Sequence, residues 1–247
     1  MNKKGFSLIE ILAVIIIIGV ISSIGIVAIS GNIERTRKSA FTDMARTYAE
    51  AARAMNGSDL LSYEPKEGEA IIIPFSKIEG SNIEHGEKTA YGNLIDEYCY
   101  VAITKENGKF KYYVTMVDET NHTMVGVEYN DISDKMVKLG EDINDLKPID
   151  NPIGSYSITI NERTLNIARV RAKYETTYEE TDEFGNTSTK TKTLTGYYAN
   201  DGSQNKGSSN VKGQIDDFDQ TVYSKSISYK GNEHTIVKTD ILYVVVR

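Results

Sequence analysis

The 247-residue sequence contains one cysteine, Cys99, so no disulfide can form within the chain. Any part of it outside the cell must be held by core packing alone, which about 200 residues can supply. Histidine is scarce too: His85, His122 and His234 are scattered, with no metal-ligand spacing around Cys99. They read as surface or packing residues, and Cys99, set between Tyr98 and Tyr100, as a small buried hydrophobe rather than a nucleophile. No nucleophile elbow, phosphate loop or zinc signature occurs, so neither enzymatic activity nor a cofactor is expected. Basic residues are outnumbered, 28 Lys and Arg against 35 Asp and Glu, for a net charge of −7. Nucleic acid is therefore not an expected partner, because displacing its counterions takes a basic patch. Tryptophan is absent, and none of the four prolines lies between Phe6 and Met55. The 40% hydrophobic content nevertheless argues for a packed core rather than disorder.

What is present is concentrated first at the N-terminus. Ile11 to Ile29 is a 19-residue run without a charge. It is long enough for one helix to span a bilayer, which takes roughly 17–25 residues. Lys3 and Lys4 favour a cytoplasmic start, with Arg35, Arg37 and Lys38 opposing them on the far side. A secretory signal would have a shorter apolar core with its cleavage site after it, whereas Ser22-Ser23 sits inside the run. Glu10 is the odd residue. An ionised acid in a span costs about 2.5–3.5 kcal/mol on insertion scales, and such groups normally face a partner.

KKGFSLIE followed by the apolar run resembles the N-terminal signature of type IV pilins and pseudopilins: a basic leader ending in Gly5, then Phe6, then Glu10 four residues later. The resemblance covers the first thirty or so residues. It implies that a membrane peptidase cleaves between Gly5 and Phe6 and methylates the new N-terminus at Phe6. Losing Lys3 and Lys4 leaves 26 basic residues against 35 acidic ones, a change from −7 to −9. Residues 6 and 10 are one helical turn apart, so Glu10 can meet its own amine or, in a filament, a neighbour's, which the resemblance favours. The alternative is an acid at the headgroup edge of a simple anchor. The implied role is a structural subunit of a type IV pilus or related filament, assembled through Glu10 and the hydrophobic helix, with a β-rich head for adhesion or surface contact. Its size points to a minor pilin. Partners implied are other pilin subunits, the prepilin peptidase, the pilus assembly platform with its ATPase, and the cytoplasmic membrane before export to a surface filament. The alternatives are a secretion-type pseudopilin and a bitopic membrane-anchored binding or sensory protein.

The expected fold class is α+β: a long N-terminal helix on an antiparallel β-meander, with a further β-rich C-terminal region. The expected divisions are a leader (1–5), a membrane and assembly half of the helix (6–30), an amphipathic half (31–56), a meander region (57–150) and a C-terminal subdomain (151–247). Ile33, Phe41, Met44, Ala45, Tyr48, Ala51, Ala52 and Met55 recur at three- and four-residue steps, and Asn56-Gly57 is a plausible stop. Gly19, Ser22, Ser23 and Gly25 either weaken the helix or are ordinary small residues of a membrane helix. Glu97–Thr104, Lys109–Val117 and Thr123–Tyr129 read as strands, the first two joined by a tight Asn107-Gly108 turn. Ala70–Phe75 adds a strand that Pro74 places at an edge, and Ser133–Gly140 reads as a short helix. Further on, an alternating strand around Ala168–Tyr178 turns at Phe184-Gly185-Asn186 into a threonine-rich partner. The terminal ILYVVV is apolar on both faces and belongs in the middle of a sheet. Asp216, Asp217 and Asp219 form the one oxygen-rich cluster that resembles a calcium loop, against the plain reading of a solvated acidic loop.

Overall fold

The computed structural model describes residues 7–58, 60–61, 63–78, 80, 83, 88–140, 157–160, 163–199, 213–215, 218–222, 226–229 and 232–247. The first element, α1 (Leu8–Gly57), is an unbroken 50-residue helix, about 75 Å long at 1.5 Å per residue. No proline interrupts it, and it continues through Gly19–Gly25. It ends where Asn56-Gly57 placed the stop, with Ser58 N–H donating to the Ala54 carbonyl at 3.0 Å.

The second half of α1 lies on a sheet. Phe41, Ala45, Tyr48, Ala49, Ala52 and Met55 are buried, and the Tyr48 ring stacks on Phe75 with centroids 3.7 Å apart. The expected stripe is thus the packed face, except that Ile33, nearer the N-terminal half, stays exposed. Under the helix run β2 (Tyr100–Glu106), β3 (Lys109–Val117) and β4 (His122–Glu128), an antiparallel meander closed at its outer edge by β5 (Lys138–Leu139). Asn107 and Gly108 both have positive φ, 52° and 75°, the backbone of a two-residue hairpin turn whose twist suits the strands. Ser133–Gly140 is not a helix. A single 3-10 turn, Asp134–Met136, is confined between the buried anchors Ile132 and Val137, which leaves no room for a second turn before β5.

Strand β1 (Ala70–Pro74) is central rather than at an edge. It pairs with β2 along its whole length and with β12 (Asn232–Val246) over Ala70–Ile72. Pro74 is tolerated because successive residues of an antiparallel strand address opposite neighbours. Phe75 N–H bonds the Cys99 carbonyl on the β2 side at 3.0 Å. The donor missing at Pro74 therefore faces β12, where pairing has already ended at Ile72↔Val244.

Strand β12 ties the two halves of the body together, pairing with β1 on one side and with β7 (Arg163–Thr181) on the other. Its last residues serve two cores. Tyr243 and Val245 join the cluster under α1, while Ile241, Val244 and Val246 join a cluster on the opposite face with Val170, Ala172 and Tyr174 of β7. The terminal run is apolar on both faces for this reason. The same sheet continues from β6 (Ser157–Ile160) and β7 through β8 (Thr187–Ala199), β9 (Gly213–Ile215), β10 (Phe218–Val222) and β11 (Ser226–Tyr229). Because β12 pairs with both β11 and β7, strands β7 to β12 form a closed circuit of pairings. The β7–β8 hairpin outruns it: β12 follows β7 only as far as Thr176, and every residue from 179 to 191 is exposed.

Candidate assembly helix and its anchor

The first half of α1 projects away from the sheet, its described large apolar side chains uncovered. From Leu8, 84% exposed, to Ile21, 64% exposed, its large apolar side chains are open on all sides. A helix that is apolar all round is built to be buried, so this surface calls for an external cover. Among the described residues no helix is long and apolar enough to cross a membrane. The span expected at Ile11–Ile29 includes residues 22–29, whose side chains lie outside the description.

Gly5 and Phe6 also lie outside the described residues. Glu10 is described, and it closes a capping box. Ser7, in extended backbone, is the N-cap; its Oγ accepts from Glu10 N–H at 3.3 Å, and Glu10 Oε2 accepts from Ser7 N–H at 2.8 Å. Two of the N–H groups that a helix start leaves without partners are satisfied reciprocally. Ser7-x-x-Glu10 ahead of an apolar run is the sequence signature of this motif, a local signal for Glu10 beside its spacing from Phe6. Glu10 therefore has a partner within its own chain as well as the two amines considered above.

Where the bare half meets the body, α1 is fastened by one aromatic residue of the loop before β2. Tyr91 donates its hydroxyl to Glu34 Oε1 at 2.9 Å, meets the Phe41 ring edge-on at 6.2 Å and carries the Arg37 guanidinium 5.9 Å from its ring centre. Partial burial, reinforced by the Glu34 carboxylate, pushes its phenol well above the usual range. The Tyr91 ring also stacks on His122, centroids 3.5 Å apart. Behind them Asp118, fully buried, accepts from Thr89 Oγ1 (2.9 Å), Thr120 N–H (2.9 Å), Thr120 Oγ1 (2.7 Å) and His122 N–H (3.0 Å). Further along, Arg46 Nη2 reaches the Ile132 carbonyl at 2.6 Å, and Glu50 accepts from the Tyr129 hydroxyl at 2.7 Å.

Cys99 is fully buried, and desolvation pushes its thiol up to about 12, so it is a packing residue. His122 belongs to the Asp118 network, and His85 lies outside the described residues. Among the described residues no group of three or more His, Cys, Asp or Glu is placed to hold a metal. Of the calcium candidates, Asp216 and Asp217 lie outside the described residues, and Asp219 falls in β10, where only the backbone is described.

No curated protein and no solved structure matches the chain. The family model of the prokaryotic N-terminal methylation motif matches residues 1–26. With its basic leader, Gly5-Phe6 junction, Glu10 and apolar helix, this N-terminus carries the prokaryotic N-terminal methylation motif, the hallmark of type IV pilin and pseudopilin precursors.

Proposed function

We propose that the chain is a minor pilin: a precursor cut between Gly5 and Phe6, methylated at Phe6, held in the cytoplasmic membrane by Ile11–Ile29 and then packed into a surface filament. The bare apolar half of α1 forms the filament core with the same half of neighbouring pilin subunits. The β-rich body faces outward, where it serves adhesion or surface contact. The prepilin peptidase and the assembly platform are its other partners, and no catalytic step is assigned to it.

The observation that carries this reading is the division of one unbroken helix. Its second half is packed on a sheet of the same chain, while its first half, marked by the methylation motif, has no cover among the described residues. A lone anchor would explain apolar residues there, but not a Gly-Phe junction with an acid at fixed spacing.

Intact-mass and N-terminal analysis of the protein from its own membranes tests the reading. N-methyl-phenylalanine at position 6 as the first residue is the expected result. A chain that retains Met1 to Gly5 when the peptidase is present refutes it.

A further inference from the structure

Strand β3 outruns its outer neighbour. β4 pairs with it only from Tyr113↔Glu128 onward, and the chain then leaves the sheet through the 3-10 turn Tyr129–Asp131. Among the described residues Lys109–Tyr112 is left as a sheet edge with no strand beside it, because β2 occupies the other side. Backbone groups that alternate toward that edge are open to another chain. A cleft of about 490 Å³ lies along it, between the end of α1 and the β3 edge. Its walls are Phe110, Tyr112 and Tyr129, and its charges are Arg53, Lys109 and Lys111 against one acid, Glu128. Lys111 is bonded to Glu128 at 3.1 Å, while Arg53 and Lys109 have no ion-pair partner among the described residues. On a chain of net charge −7, this is a local concentration of positive charge around aromatic rings.

The β7–β8 hairpin presents the opposite character. Past Thr176 no other described strand pairs with it, and a two-stranded ribbon is marginal on its own in water. Its tip carries Glu179, Glu180, Asp182 and Glu183, with Lys190 paired to Glu180. The turn itself is rigid: Asp182 Oδ1 accepts from Phe184 N–H at 2.9 Å and Asn186 N–H at 2.8 Å. At its apex Phe184 is 87% exposed, the most exposed large apolar side chain among the described residues. A rigid acidic turn that holds an aromatic ring in water has the form of a binding anchor.

We propose that the β7–β8 tip of one copy of this chain docks at the open β3 edge of a second copy, with Phe184 entering the cleft between Tyr112 and Tyr129 and the tip carboxylates meeting Arg53 and Lys109. The proposal rests on the filament reading, which brings subunit bodies side by side, and it requires two copies of this chain to be neighbours there. It adds a contact between the bodies, outside the helical core, and a reason why so long a hairpin is left bare.

Cysteine cross-linking of the full-length protein on cells tests it, since the native Cys99 is buried. Copies carrying Glu183→Cys are co-expressed with copies carrying Asn130→Cys and treated with a mild oxidant. A disulfide-linked dimer that exceeds the yield from Glu183→Cys with Leu139→Cys, an exposed site in β5 at the far end of the strands on the same side of the meander, is the expected result. Phe184→Ala, at a site too exposed to threaten folding, lowers the yield about tenfold, the loss expected of an anchor residue. Arg53→Glu also lowers it, and Glu179→Lys on the partner copy restores it. Equal yields from the Asn130 and Leu139 pairs, or indifference to Phe184→Ala and Arg53→Glu, overturn the docking. If filaments still form from subunits that begin at Phe6, that failure leaves the filament reading intact. An unprocessed N-terminus overturns the filament reading itself.

Discussion

Removing the Asp118 carboxylate is the sharpest test of how the body holds the helix. In Asp118→Ala the Thr120 groups, at an exposed turn position, turn to water. The His122 N–H and the Thr89 hydroxyl belong to buried residues and lose their acceptor. Each stranded buried donor costs about 1–3 kcal/mol, so the substitution destabilises the protein by about 2–6 kcal/mol. For a chain of this size that lowers Tm by roughly 4–24 °C. Asp118→Asn is the internal control. Its carbonyl oxygen can take the three bonds now made by Oδ1, and only the Thr89 bond at Oδ2 is lost, for about 1–2 kcal/mol. The assay is thermal unfolding of the purified full-length protein, followed by circular dichroism. If Asp118→Ala costs under 1 kcal/mol, or no more than Asp118→Asn, the buried carboxylate is not what organises the Tyr91 loop and the reasoning fails.

Three further outcomes follow from named residues. Glu10→Ala should leave membrane insertion and leader cleavage largely intact while reducing incorporation into filaments; normal incorporation removes the assembly role assigned to Glu10. Burial holds the Cys99 thiol near 12, so a water-soluble thiol reagent at pH 8 should leave the native protein unlabelled and react fully after denaturation, whereas rapid native labelling contradicts the packing around β2. Gly108→Val forces a β-branched residue to φ +75° and should destabilise the β2–β3 hairpin by about 1–2 kcal/mol, read as a lower denaturation midpoint; an unchanged midpoint means the turn can relax to another form.

Local patterns carried far in this sequence. The stripe from Phe41 to Met55 is the packed face of α1, Asn107-Gly108 is the hairpin turn, and ILYVVV lies mid-sheet between two cores. Each is a statement about periodicity or backbone freedom within a few residues. The capping box at Ser7 and Glu10 was equally local and legible, because a serine three residues before an acid at the head of an apolar run needs no distant partner. Pro74 misled because its lack of a donor was read without knowing which neighbour that donor would have faced. The Tyr91 anchor left no trace, because Glu34, Tyr91, Asp118 and His122 come from a helix, a loop and a strand end.

Charge, length and spacing along the single chain were enough to say where one helix is bare and where it is covered, and to place the methylation motif at the N-terminus. Only the tertiary structure decided that β1 and β7 share β12, that the β3 edge and the Phe184 hairpin are left open, and that Tyr91 fastens the helix. Those depend on which strands pair, and pairing partners more than a hundred residues apart are chosen by the closure of the whole sheet rather than by any pattern within one strand.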